Sequence, residues 1–425
     1  MKKIFNPAPE TWPELLRRPT QTLDDIEETV NGIFKDVQAN GDSAVAKYTA
    51  IFDGVSLDAI YASAKEIDEA STSLSQELKD AIQLAKKNIE RFHTAQKTER
   101  IVIETTPGVQ CWQEKRPIQK IGLYIPGGTA PLFSTILMLA VPAQIAGCKE
   151  IILCTPPAKD GSIHPAILYT AQICGVTKIC KIGGIQAIAT MTFGTESIPK
   201  VYKIFGPGNQ FVTVAKQVAT KYDVAIDMPA GPSELLVVAD DTAIPSFVAS
   251  DVLSQAEHGA DSQVILVTTS KALLEQVEKE IVKQLSTLSR KRIAEKSIAN
   301  SKLIYVEDDA TALALIDTYA PEHFIVCVEN EDYFVENIGN AGSVFIGNHT
   351  PESAGDYASG TNHTLPTNGY AKQYSGVNLD SFLKSMTFQK ISREGIQNIG
   401  PTIELMATAE GLDAHKNAVT LRLND

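Results

Sequence analysis

In SQAEHGADSQVILV, Gln255 and His258 stand three residues apart at the C-terminal edge of a predicted helix, and so share one face of it. An amide and an imidazole placed there could hold a ligand together. A cationic histidine near a helix C-terminus is also mildly stabilising with no ligand at all. Further along, APEHF sets Glu322 beside His323 at a predicted helix-to-strand corner. Adjacent side chains point different ways, which suits two separate proton transfers around one substrate and equally suits an exposed corner. The run SAGDYASGTNHTLPTNGY holds Asp356 and His363 among three glycines. Nothing in that long polar loop supports a core, which points to a site. AEGLDAHKNAV then offers Glu410 and His415 near the chain end.

Imidazole and carboxylate ligands suit zinc, and six cysteines without a CxxC pair argue against a closed structural site. Gln255, His258, Asp356 and His415 therefore form a candidate metal set, scattered over segments that only a fold could assemble. Two turns suit phosphate instead: IPGGTAP (Ile125 to Pro131) and FGPGNQF (Phe205 to Phe211) each follow a predicted strand and precede a predicted helix. Glycines there let backbone amides approach an anion at a helix N-terminus. Neither completes GxGxxG, and no acid follows at the expected distance, so a turn without ligand stays open for each alone. Gln186 in GGIQAIA adds a third polar group at a strand end, where α/β sheets bind ligands.

The elements that must position these residues follow from periodicity. The first hundred residues are mostly helical in pattern, including ELKDAIQLAKKNIERFHTAQK, whose His93 reads as a packing or surface residue. From about Lys120 strand-like and helix-like runs alternate: KIGLYI, FSTILMLAVPAQIAG, KEIILCTPP, VTKICKIGG and VYKIFGPGN. After DMPAGP the alternation restarts with ELLVVAD, SQVILVTTS, SKLIYVED, FIVCVEN and GSVFIGN. Such repeats are the mark of strand–helix–strand units with mainly parallel sheets. The expected fold class is α/β, with two incomplete Rossmann-like domains, N-terminal helices and a helical C-terminal tail. A tail of that kind often packs on a partner subunit.

Bulk properties narrow the class. With 425 residues the chain is long enough for two or three cores. Its 38 Lys+Arg against 51 Asp+Glu give −13, which argues against nucleic acid or an anionic membrane as partner. The start MKKIFNPAPETW has no apolar run behind its lysines, and STILMLAVPAQIAG is too short to span a bilayer, so a cytoplasmic protein is expected.

Taken in order, YIPGGTAPLFST, GGIQAIA, FGPGNQFV, DMPAGPSE, LSQAEHGADSQV, APEH, TPESAGDYASGTNH and LDAHKNAV resemble the histidinol dehydrogenase family, from about residue 20 to the C-terminus. The resemblance implies a zinc-dependent enzyme that oxidises L-histidinol through L-histidinal to L-histidine with two NAD. It implies zinc ligation by Gln255, His258, Asp356 and His415, one ion per subunit, with His415 supplied across a homodimer that shares its active sites. Glu322 and His323 correspond to the acid/base pair, and Tyr124, Gln186 and Asn209 to NAD-contacting positions. Ser233 and Glu410 correspond to substrate contacts, alongside Gln255, His258, His323, Asp356 and His415. His363 is expected to line the site. The implied division is an N-terminal segment (1–20), a discontinuous α/β globule (21–120 plus 231–375), an inserted NAD-contacting domain (121–230) and a tail (376–425). A zinc hydrolase built on the same ligands would leave the glycine turns, Gln186 and Asn209 without a role.

Overall fold

A computed structural model describes residues 1–19, 24–57, 59–127 and 130–425. Gly128 and Thr129 of the first glycine turn, and the boundary expected between residues 20 and 21, lie outside the described residues. The chain opens with strand β1 (Lys2–Phe5) and the single turn α1 (Trp12–Leu15). Three helices follow: α2 (Asp24–Phe52), broken at Gly41, then α3 (Ala64–Ser73) and α4 (Gln76–Thr94). A hairpin of β2 (Val102–Thr106) and β3 (Val109–Pro117) leads into the first alternating unit. That unit runs β4 (Lys120–Tyr124), α5 (Phe133–Ala146), β5 (Glu150–Thr155), α6 (Pro165–Ile173), β6 (Lys178–Lys181) and α7 (Gly184–Phe193). It closes with β7 (Lys203–Phe205), α8 (Gln210–Ala219) and β8 (Ala225–Ile226).

The second unit runs β9 (Glu234–Ala239), α9 (Pro245–Ala256), β10 (Gln263–Thr268), α10 (Lys271–Leu285), α11 (Lys291–Ala299) and β11 (Lys302–Tyr305). It continues through α12 (Asp309–Tyr319), β12 (His323–Cys327), α13 (Glu331–Asn337), β13 (Ser343–Ile346) and α14 (Glu352–Tyr357). The tail is β14 (Leu383–Ile391), α15 (Arg393–Ala409) and α16 (Asp413–Leu423).

These strands form two parallel sheets and one antiparallel sheet. The five-stranded sheet has the order β6-β5-β4-β7-β8, the six-stranded sheet β1-β11-β10-β9-β12-β13, and the antiparallel sheet β14-β3-β2. Strands such as ELLVVA and QVILVT are buried at every position, because helices cover both faces of each parallel sheet. The α/β class with parallel sheets and a C-terminal helical tail is thus the fold of the molecule.

Three details differ from the sequence reading. The N-terminal helices were expected in the globule of 231–375, yet they cover the five-stranded sheet. Val30, Phe34 and Val37 of α2 share a core with α7 and α8, and Ile82, Ala85 and Ile89 of α4 share one with α5. Both faces of that sheet are apolar, and its own four helices cover them only in company with α2, α3 and α4. Residues 2–5 do not stand apart from the globules: they form the edge strand of the six-stranded sheet, with Lys2 opposite Lys302. The tail, finally, begins as strand β14, paired along its whole length with β3 from Leu383–Pro117 to Ile391–Val109.

Candidate active site

Two concentrations of polar chemistry stand at opposite kinds of strand end. The first is at the carboxyl ends of the five-stranded sheet. The strand order reverses between β4 and β7, and a cavity of about 890 Å³ opens there. Tyr124, Pro126, Gly127, Thr155, Gly184 and Asn209 are among its lining, with Asp53 from the end of α2. The turn after β7 is shaped by its glycine. Gly206 has φ +122°, and a Cβ there would sit 2.1 Å from the Tyr124 carbonyl oxygen, so only glycine fits. A buried ion pair of Lys216 with Asp227 fixes this residue from both sides. Lys216 Nζ donates to the Gly206 carbonyl at 2.8 Å, and the Gly206 N–H donates to Asp227 Oδ2 at 2.8 Å. Asn209 caps α8, its Oδ1 accepting from the Val212 N–H at 3.1 Å. The Tyr124 hydroxyl accepts from the Gly184 N–H at 3.0 Å. Gln186 is buried: Nε2 donates at 3.3 Å to Oδ2 of Asp53, a lining residue, while Oε1 has no partner. Tyr124 and Asn209 line the cavity, and Gln186 reaches it only through Asp53.

The second concentration lies at the amino ends of the six-stranded sheet. Ala320 ends α12 in the left-handed region at φ +54°, and that turn delivers Glu322 and His323 to the start of β12. Both are buried. The Glu322 carboxylate accepts from the Glu234 N–H at 2.8 Å, and His323 Nδ1 lies 3.2 Å from the Glu234 carbonyl oxygen. Three acids surround the imidazole, each 3.7 Å away: Glu322 and Glu352 at Nδ1, and Asp356 at Nε2. Burial opposes charge on this ring, but the three carboxylates outweigh it and raise His323 to about 10. Burial also raises Glu322 and Glu352 to about 8 each, against the attraction of His323. Asp356 goes the other way: burial is overcome by His323, His363 and His258, which hold it below its usual value.

Ligand atoms of His258, Glu352 and Asp356 lie within 4.8 Å of one another. Gln255 sits one helical turn before His258, is fully buried, and has neither amide atom in a hydrogen bond. The bland reading of His258 as a helix-end charge leaves that amide unexplained. His363 links the acid cluster to α5, Nδ1 lying 2.9 Å from the Asp356 carbonyl oxygen and Nε2 3.1 Å from Thr135 Oγ1. Ser233 lies half-buried immediately before Glu234. Glu410 and His415 are exposed on the α15–α16 hairpin, and His415 belongs to no metal-capable group among the described residues of this single chain.

Glu352 was missed by the sequence reading. Its signal was available: Glu352 and Asp356 are four apart in PESAGD, on one face of the short helix α14.

Buried acid/base groups stand beside a metal-capable cluster in an α/β chain with a cavity at its strand switch, and its relatives make it an oxidoreductase acting on alcohol and aldehyde groups. A crystal structure of an acetylating aldehyde dehydrogenase from Geobacillus thermoglucosidasius shares the fold, with TM-score 0.50 at 13% identity over 89% of this chain and 93% of that one. The family model for histidinol dehydrogenase matches residues 16–423, and the chain belongs to that family. The histidinol dehydrogenase of Bacteroides thetaiotaomicron is 61% identical over 424 residues, 100% of this chain and 99% of that protein. That of Escherichia coli is 54% identical over 414 residues, 97% and 94% of the two chains. The crystal structure of histidinol dehydrogenase from Elizabethkingia anophelis superposes with TM-score 0.98 at 56% identity, covering 100% and 98%. No helix among the described residues is long and apolar enough to cross a membrane.

Proposed function

We propose that this chain is a zinc-dependent dehydrogenase that oxidises L-histidinol through L-histidinal to L-histidine with two NAD, the last steps of L-histidine biosynthesis, in the cytoplasm. One observation carries the reading. The buried Gln255 amide has no partner and stands beside the His258, Glu352 and Asp356 donors, next to Glu322 and His323. Leaving such a group unpaired costs about 1–3 kcal/mol, which a ligand would offset. Mixed nitrogen and oxygen donors fit zinc. Gln255, His258 and Asp356 would hold it, with His415 of the neighbouring subunit as the fourth ligand. Zinc held there would supply a site for the substrate's nitrogen donors and would offset the carboxylate charge that keeps His323 protonated.

Tyr124, Gln186 and Asn209 would hold NAD, which would supply the hydride acceptor for each oxidation. His323 takes the hydroxyl proton as the alcohol carbon loses hydride, giving the aldehyde. An acid cannot form from the unhydrated aldehyde by hydride loss, so water must add to its carbonyl. Glu322, at a second angle to the same centre, removes a proton of that water while His323 returns its own to the carbonyl oxygen, which gives the hydrate and restores the imidazole as a base. His323 takes the next hydroxyl proton as the hydrate loses hydride, and the product is a carboxylic acid.

Ser233 and Glu410 are assigned to substrate, Glu410 from across a homodimer with shared sites. The dimer reading draws on Leu405, Met406, Leu412 and Leu421 in the tail, and Ile101 and Ile103 beside it, all exposed. The reading divides the chain near residues 120, 230 and 375, with the unit 121–230 binding NAD. Incubating metal-free and zinc-loaded protein with L-histidinol and NAD tests it. L-Histidine is expected from the zinc-loaded form, and none from a folded, zinc-loaded dimer would overturn the assignment.

A further inference from the structure

Behind Glu322 and His323 lies a buried acid with no part in the chemistry proposed above. Glu234 opens β9, and its carboxylate is almost wholly out of solvent. Its main chain touches both reactive side chains: the N–H donates to Glu322, and the carbonyl oxygen faces His323 Nδ1. Its side chain is held as a fork. Arg18 Nε donates to Oε1 at 2.5 Å and Nη2 to Oε2 at 2.8 Å, and the Asn368 N–H donates to Oε1 at 2.5 Å. The same guanidinium donates to the Tyr319 carbonyl at 2.7 Å and reaches the Ala320 carbonyl at 3.4 Å. Its carbon stands 4.0 Å from the centre of the Tyr319 ring. Ala320 is the left-handed residue whose turn delivers Glu322. Arg18 therefore grips both supports of the pair, the start of β9 and the corner before β12. Loop 367–369 closes over it: Gly231 N–H donates to Thr367 Oγ1, and Gly369 leaves the guanidinium its space.

We propose that Arg18 and Glu234 form a positioning clamp that fixes the spacing of Glu322 and His323, with neither residue touching substrate. The inference rests on the catalytic roles proposed for that pair. Planar bidentate geometry matters here, because only a guanidinium holds both carboxylate oxygens while reaching two carbonyls. A displacement of about 1 Å in a reacting group costs on the order of 100-fold in rate.

The test compares wild type, Arg18→Lys, Arg18→Met and the double variant Arg18→Met/Glu234→Gln as zinc-loaded full chains. Arg18→Met leaves a buried carboxylate unpaired and could unfold, whereas the double variant removes that charge as well. In a folded Arg18→Met or double variant, kcat with L-histidinol and NAD should fall about 100-fold, while both KM values stay within about threefold. Arg18→Lys should fall between. The imidazole nitrogen resonances of His323, assigned against His323→Asn, should move in each variant. Wild-type kcat in a folded double variant would overturn the clamp. Failure of wild type itself to turn over would count against the functional reading, and unmoved His323 resonances would then still overturn the clamp.

Discussion

The two parallel sheets offer a small molecule opposite kinds of site. The five-stranded sheet offers the carboxyl ends of its strands, and its cavity is built mostly from main chain and neutral side chains, with Asp53 beside them. Gly206 is pinned by a buried ion pair, Asn209 spends its amide on a helix cap, and Tyr124 accepts from the Gly184 N–H. The six-stranded sheet offers its amino ends, where Glu322, His323, Glu352 and Asp356 crowd within salt-bridge reach of one ring. A turn that binds by shape tolerates no added atom but needs no charge. A cluster that moves protons and holds a cation must instead keep several like charges buried together, at a large desolvation cost. Substitutions in the two regions should therefore fail differently.

The largest effect is expected at the imidazole. His323→Asn should lower both oxidations about 1000-fold, the scale of a lost general base, with bound zinc and NAD affinity retained. Separate rate measurements with L-histidinol and L-histidinal check it. Glu322→Gln comes next: aldehyde oxidation should fall by about 100-fold and the reverse, aldehyde-reducing step by less, because only the former needs water activated. Equal loss in both directions would end the division of labour between the adjacent pair. In the neutral region, Gly206→Ala puts a methyl against the Tyr124 carbonyl at a strained φ. It should cost about 1–3 kcal/mol in thermal unfolding and raise the KM for NAD while leaving zinc content unchanged. Asn209→Ala is the mildest, about 1 kcal/mol of capping energy together with weaker NAD binding measured by titration.

Much of this contrast was legible in the chain. Parallel strands buried on both faces read as continuous apolar runs, so ELLVVA, QVILVT and EIILCT announced the sheets. Gln255 and His258 were legible because helical spacing puts them on one face. What stayed hidden depended on partners distant in sequence. The amphipathic stripe of α2 says that it packs, not on which sheet, and KKIF is too short to advertise an edge strand. Leu383–Ile391 reads poorly as a strand because none of its nine side chains is fully buried and its partner β3 lies far upstream. Glu352 was obscured by the polar loop around it. Arg18 sits in LLRRPT, where nothing marks one arginine over the other until Glu234 is seen beside it.

The most direct test of the central claim counts NADH formed against L-histidine produced, with and without zinc, from L-histidinol as sole substrate. Two NADH per L-histidine, only with zinc, is the predicted result, since one imidazole must serve two successive hydride losses at one centre. One NADH per L-histidinol with free L-histidinal accumulating, or full turnover by metal-free protein, would contradict it.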